Sequence, residues 1–505
     1  MKKTNKKKRS FPTAFTVIFI VLILAAVLTY VVPAGEYATL SFSEESQNFV
    51  VTNPDGTTVE MDATQETLDE LGVKADLNKF KDGTLYKPMA ISGTYVELPQ
   101  NGQGPVQVIL SPIQGIYDSM DIILFVFMIG GTIGILNYMG AFNAGISALS
   151  RTFKGKEQII ITIVTFLVAL GGTTFGMAEE TIAFYPILIP IFLAAGYDAM
   201  VGIAAVYSGA TIGQMFSTVN PFAVVLASNA AGVNFESGLN FRIVGLAGAL
   251  IITLIYILRY AKKVKADPAN SIIYADKEAI EKRFASANPD EAPKLTTKFK
   301  IVLILFVLTF VIMIYGVSRL GWWFDEMSAL FLCSGIIMGI IGGLKEKEIV
   351  NEFVNGASEL TGVALIVGVA RAVNMILENG QISDTILHAM SGVVEGMSPI
   401  VFIIVIMLLF VVLGFFVNSS SGLAVLSIPI MAPLADAVGL PREAVISAYI
   451  YGLGIITFIT PTGLVLASLE MVNVTYNKWI KFCMPLVGIL TVFAGIMLVA
   501  QVYLG

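Results

Sequence analysis

Long apolar runs separated by short polar segments fill the chain from residue 14 onward. The first run, residues 14–33, is long enough to cross a bilayer, which takes about 20 residues. Further full spans are predicted near 121–139, 200–230, 241–260, 298–316, 325–343, 361–378, 443–471 and 480–503. Two apolar stretches, 157–195 and 398–437, are each divided near the middle by small polar residues and read as re-entrant hairpins. Their tips are Gly171-Gly172-Thr173-Thr174-Phe175-Gly176 and Asn418-Ser419-Ser420-Ser421-Gly422. The runs at 200–230 and 443–471 carry Pro221 and Pro461 and read as broken helices. Irregular backbone at membrane depth is tolerated only when buried in protein or lining a wet cavity, so tips and breaks belong at the centre of the molecule. Residues 34–105 are polar instead, and Asn53-Pro54-Asp55-Gly56 within a Thr/Val-rich stretch predicts a hairpin there.

The interrupted segments occur twice. Asn220-Pro221-Phe222-Ala223-Val224-Val225-Leu226-Ala227-Ser228 returns as Thr460-Pro461-Thr462-Gly463-Leu464-Val465-Leu466-Ala467-Ser468. Upstream, Pro186, Pro190, Gly196 and Gly209 recur in order and spacing as Pro429, Pro433, Gly439 and Gly452, and Ile135-Leu136 with Gly140 echoes Ile376-Leu377 with Gly380. Duplicated broken helices are the mark of a secondary transporter. The expected fold is therefore an all-α integral membrane protein of two inverted repeats, each with a hairpin and a broken helix. Its parts are the N-terminus and first helix (1–33), an insertion (34–105), a first repeat (106–260), a linker and connecting helix (261–316) and a second repeat (317–505).

Composition and charge sharpen this picture. Only 13% of residues are charged and 56% are hydrophobic, with a mean hydropathy of +0.79, against roughly 25% charged in a soluble domain. The two cysteines, Cys333 and Cys483, lie in apolar runs and imply no disulfide framework. Six Lys or Arg among the first nine residues hold the N-terminus in the cytoplasm. A cleaved signal peptide is the alternative for the first run, but Val32-Pro33-Ala34-Gly35 is a poor cleavage site. The clusters Arg151/Lys154/Lys156, Arg259 through Lys300, Lys345/Lys347 and Lys478/Lys481 then fall inside, the C-terminus outside, and the hairpins enter from opposite faces. Residues 34–105, with twelve acids and four lysines, form an acidic extracytoplasmic insertion. Arg371 alone of the basic residues is left at mid-membrane.

Candidate chemistry gathers at the tips and breaks, where exposed half-helix ends and free carbonyls attract ions. Thr173, Thr174, Asn220, Asn418, Ser419, Ser420, Ser421, Thr460 and Thr462 are the expected lining of one polar chamber, with Na⁺ a candidate at the hairpin tips. The same hydroxyls and amides also serve simply to satisfy backbone opened by Gly and Pro. Glu179 and Glu180 follow the first tip, and a mid-membrane carboxylate marks function by default. Their candidate partners are a substrate ammonium or guanidinium, Na⁺, a proton or Arg371, and one of the two is expected to cap the returning half-helix. Arg371 either pairs with these glutamates or holds a substrate carboxylate by bidentate hydrogen bonds. Glu378 is expected to be solvated.

Catalysis finds little support. The sole histidine, His388, falls in an external connection, the triple serine has no base within sequence reach, and no H-E-x-x-H, P-loop or dinucleotide fingerprint occurs. No cofactor and no nucleic-acid partner are expected. A channel and an intramembrane hydrolase are distant alternatives.

Tyr30-Val31-Val32-Pro33-Ala34-Gly35, Gly176-Met177-Ala178-Glu179-Glu180-Thr181, Val369-Ala370-Arg371-Ala372, Asn418-Ser419-Ser420-Ser421-Gly422 and Ile459-Thr460-Pro461-Thr462 resemble the YfcC family of the ion transporter superfamily. That group contains ArcD-type basic amino acid antiporters and is related to anaerobic four-carbon dicarboxylate carriers. The resemblance implies an elevator-like motion against a scaffold that dimerises, with the polar tips and Thr460 to Thr462 at the substrate site. The tip Gly-Gly-Thr-Thr departs from the Ser-Asn-Thr type of the dicarboxylate relatives. The expected function is a cytoplasmic-membrane antiporter exchanging arginine for ornithine, with an ion-coupled dicarboxylate carrier as the alternative.

Overall fold

The computed structural model describes residues 12–504 apart from 84, 86, 143, 146, 147, 149–155, 157, 285–293, 321, 395 and 396. The basic cluster of the first nine residues, Arg151 and Lys154 thus lie outside the described residues. Among those described, nine helices are long and apolar enough to cross a bilayer. They are α1 (Ala14–Val31), α5 (Met120–Tyr138), α6 (Gln158–Phe175), α10 (Leu239–Ala266), α12 (Thr297–Leu320), α13 (Phe324–Ile341), α15 (Thr361–Asn379), α17 (Pro399–Phe416) and α21 (Tyr476–Leu504). Large apolar side chains stand exposed on their outer faces, among them Ile304, Val307, Val311 and Val492. This is the surface a multi-pass membrane protein turns to lipid.

Both stretches read as hairpins are divided by a turn into two helical segments. Helix α6 turns at 176–178 into a short 3₁₀ segment (Glu179–Phe184) and α7 (Tyr185–Ala194), while α17 turns into α18 (Ser420–Ala437). Both runs carrying the duplicated motif are interrupted. Helix α8 (Ala199–Met215) is separated from α9 (Pro221–Ala231), and α19 (Arg442–Thr457) from α20 (Val465–Val472). Asp198 caps α8, its Oδ1 accepting from the Val201 N–H at 3.0 Å. Helix α9 ends at Gly232, whose positive φ of 69° is a common helix stop.

Three further helices do not stand out as long apolar runs: α4 (Pro105–Asp118), α14 (Glu346–Glu359) and α16 (Ser383–Val393). The first two pack closely, α4 against α15 and α14 against α5. Glycine makes both approaches possible. A Cβ on Gly115 would lie 2.3 Å from the Gly368 carbonyl oxygen, and one on Gly356, about 240 positions later, 2.2 Å from that of Gly130. The hairpins show the same recurrence. Helix α8 lies on α6 and α19 on α17; a Cβ on Gly209 would meet the Thr165 carbonyl oxygen at 2.9 Å, and one on Gly452 that of Met407 at 2.4 Å.

Strands add to the helical architecture between α1 and α4. β2 (Thr39–Phe42), β3 (Phe49–Thr52), β4 (Thr58–Met61) and β5 (Met89–Ala90) form one sheet in the order β4-β3-β2-β5, and β1 (Gly35–Glu36) pairs with β6 (Val96–Glu97). The β3–β4 turn is the expected hairpin, closed by a hydrogen bond from the Gly56 N–H to the Asn53 carbonyl at 2.9 Å. This segment bonds to the helices on one side. The Gln103 N–H donates to Thr29 Oγ1 at 2.8 Å, Asn101 to the Asn379 carbonyl at 2.7 Å, and the Tyr37 N–H to Asp384 at 2.9 Å, while His388 stacks on Tyr95 with ring centroids 4.1 Å apart. On the other side β5 lies against α18, where Met89 and Ala90 adjoin Pro429, Ala432 and Pro433.

Candidate functional site

Each hairpin tip docks onto the break of the helix that follows it. At the first, Thr173 is buried and knits α6 to the stretch after Phe216: Thr173 Oγ1 accepts from the Thr218 N–H at 2.9 Å, and the Val219 N–H donates to the Thr173 carbonyl at 3.2 Å. Thr174 stays on its own helix, donating to the Leu170 carbonyl at 2.7 Å. Gly176 has φ +75°, and a Cβ there would lie 2.9 Å from Asn220 Nδ2. Asn220 in turn caps the next turn, its Oδ1 accepting from the Phe222 N–H at 2.9 Å. The proline beside it sits at the first position of that turn, where the missing N–H costs nothing.

The second tip repeats this logic with other groups. Ser419 caps α18 by accepting from the Gly422 N–H at 3.1 Å, and Asn418 Nδ2 donates to the Thr462 carbonyl at 2.8 Å. Thr460 and Thr462 are buried and share a 2.7 Å hydroxyl bond across Pro461. Ser421 is buried, and the Ser420 carbonyl accepts from the Tyr449 hydroxyl at 2.5 Å. Much of the expected lining therefore satisfies opened backbone and seals the seams between tip and break.

A narrow cleft lies where residues of the two halves of the chain meet. Its polar lining is Thr211, Gln214, Asn220, Ser420 and Thr457, backed by Ala223, Ile450, Leu453 and Gly454. Of the residues expected from sequence it gathers Asn220 and Ser420. Gln214, Thr211 and Thr457 were missed, because they lie in the last turns of α8 and α19, just before the breaks and not in them. The available signal was the pair Thr211 and Gln214, three apart and hence on one face of an otherwise apolar segment.

The charged candidates separate. Glu180 caps its own tip, its carboxylate accepting from the Ala178 N–H at 2.9 Å. Glu179 belongs to the 3₁₀ segment that packs against α5, and among the described residues neither glutamate has an ion-pair partner. Arg371 pairs with neither of them. Its Nε bonds to Asp118 at the end of α4, and its guanidinium lies 3.7 Å from Glu378. Glu378, expected to be solvated, is half exposed and takes part in this pair. The arginine therefore answers a helix that the apolar pattern did not disclose. No cluster of three or more His, Cys, Asp or Glu suited to a metal occurs among the described residues.

The chain matches the DcuC family, described as a C4-dicarboxylate anaerobic carrier, over residues 11–503. It is 47% identical over 501 residues to an uncharacterized protein of Haemophilus influenzae, covering 99% of this chain and 98% of that one. It is 30% identical over 518 residues to Escherichia coli YfcC, by name a candidate basic amino acid antiporter, with coverage of 99% and 98%. Among solved structures, the YdaH transporter of Alcanivorax borkumensis aligns over 98% of each chain at 14% identity and a TM-score of 0.39.

Proposed function

From its membership of the DcuC family of membrane carriers, we propose that this chain is a secondary-active antiporter of the cytoplasmic membrane that exchanges a basic amino acid, arginine for ornithine. The carrying observation is the charge of the site. No Lys or Arg lines the cleft, and Arg371 is already engaged by two carboxylates. A substrate with two carboxylates would find no free fixed cation there, and a desolvated charge without a partner costs several kcal/mol. A cationic side chain has Glu179, whose carboxylate has no ion-pair partner among the described residues, two positions from Met177, which the cleft residue Gln214 holds by its carbonyl. The name of the YfcC relative points the same way.

In this reading the chain has two inverted repeats, α4 to α10 and α13 to α21, joined by the linker and α12 and preceded by α1 and the insertion. The recurring glycine contacts support that division. The N-terminus is cytoplasmic, the C-terminus is outside, residues 34–105 are an extracytoplasmic insertion, and the hairpins with their broken helices move as an elevator within a homodimer. Na⁺ or a proton at the first tip is the candidate coupling ion.

The second reading, an ion-coupled four-carbon dicarboxylate carrier, is favoured by the description of the family. Proteoliposome counterflow separates the two. Arginine uptake driven by internal ornithine is expected, with Glu179→Gln lowering it at least tenfold and Glu180→Gln acting through the tip. Uptake of succinate or fumarate in place of arginine would overturn the proposal, and uptake without gradient or counter-substrate would indicate a channel.

A further inference from the structure

The hydrogen bonds already made around the cleft decide what it has left to offer. Thr211 spends its hydroxyl proton on the Tyr207 carbonyl at 2.8 Å, and Thr457 spends its own on the Leu453 carbonyl at 2.8 Å. Each hydroxyl oxygen then has only lone pairs to present. Gln214 donates from Nε2 to the Met177 carbonyl at 2.7 Å. A carbonyl partner admits only the amide nitrogen, so this bond fixes the orientation of the carboxamide and leaves Oε1 as the acceptor. Oε1 has no hydrogen-bond partner among the described residues. Thr211 and Gln214 lie one turn apart on α8, and Thr457 ends the facing helix α19, whose carbonyl at that position accepts from Tyr207 of α8 at 2.7 Å. Three acceptors from two packed helices thus line one wall of the cleft without a charge among them.

We infer that Thr211, Gln214 and Thr457 form an uncharged acceptor set that binds the α-ammonium group of the substrate. This rests on the amino acid reading above and deepens it, since that reading assigns Glu179 to the side chain and leaves the α-amine without a partner. An ammonium group brings three donors and no acceptor, which the three oxygens of Thr211, Gln214 and Thr457 can accept. A carboxylate brings no proton for these three oxygens to accept. Neutral acceptors hold the amine without the desolvation that a buried carboxylate would add, leaving an exchanged substrate free to depart. The acceptor set therefore distinguishes amino acids from organic acids of the same length, a selection to which the seams at the tips contribute nothing.

The test is calorimetric titration of the full-length purified protein with arginine, with its analogue carrying a hydroxyl in place of the α-amine, and with succinate. Wild type is expected to bind arginine at least tenfold more tightly than the hydroxy analogue. Thr457→Val should remove most of that difference by weakening arginine alone, and Gln214→Leu should do the same. Gln214→Leu also frees the Met177 carbonyl and so disturbs the first tip, whereas Thr457→Val leaves every tip contact in place and keeps the test valid if the glutamine variant is unstable. Equal arginine affinity in wild type and Thr457→Val, or equal affinity of wild type for arginine and its hydroxy analogue, would overturn the inference while leaving basic amino acid exchange intact. Binding of succinate with no binding of arginine would remove the amino acid reading itself.

Discussion

Gly176 meets two demands that no other residue type satisfies together: a φ of +75° and a neighbouring amide where its Cβ would stand. The left-handed backbone alone costs other residues roughly 1–2 kcal/mol, and relief by moving Asn220 would undo that residue's cap on the Phe222 N–H. Gly176→Ala is therefore expected to lower transport at least tenfold while the protein remains membrane-inserted and monodisperse by size-exclusion chromatography. Normal transport rates in this variant would show that the tip does not depend on its contact with Asn220. At this scale the sequence was informative wherever a breaker stood nearby. Asn220 and Ser420 adjoin a proline and a glycine-bounded tip, and both line the cleft. An acid directly after a tip implied a cap, and Glu180 is one. Thr211, Gln214 and Thr457 precede the breaks by up to two turns, and a polar residue in a helical pattern reads as an ordinary member of the helix. Arg371 was legible as a charge within an apolar helix, but its partner was not, since Asp118 closes a helix of only 14 residues.

The two broken helices owe their gaps to different devices. In the first, Asn220 caps the outgoing turn and Pro221 occupies its first position, where alanine is accepted without disturbing the cap. In the second, Pro461 stands inside the gap between Thr457 and Val465, flanked by the bonded pair Thr460 and Thr462. A proline in a continuous helix costs about 3 kcal/mol or more, so its removal there lets the helix close and withdraws Thr462 from Asn418. Pro461→Ala is expected to reduce transport severely with little loss of folded protein, and Pro221→Ala to reduce it far less. Equal losses, measured in one proteoliposome assay, would mean that the Asn220 cap does not hold the first break. Elements with long apolar runs were legible to within a few residues. The amphipathic α4, α14 and α16 were not, since each is half clothed by neighbours and carries too many polar positions to register as a span.

For the whole molecule, the recurrence of close glycine contacts about 240 positions apart has a testable counterpart in orientation. Single cysteines at Gly196 and Gly439, both at φ above +70° with no heavy atom within 4 Å of where a Cβ would stand, are expected to react with impermeant maleimide from opposite sides of the membrane. Reaction from one side only would refute inversion. The segment before α4 carries a different consequence. Toward α1, α15 and α16 it is held by directional bonds, such as those of Gln103, Asn101 and Tyr37. Toward α18 it rests on methionine, alanine and proline. Directional bonds resist displacement because each must break before another forms, while an oily contact shears and strands no donor. The segment is thus anchored along one margin and lubricated along the other. If α18 travels during the transport cycle, it slides beneath a stationary lintel, and the friction of that joint is set by the side chains of Met89 and Pro433.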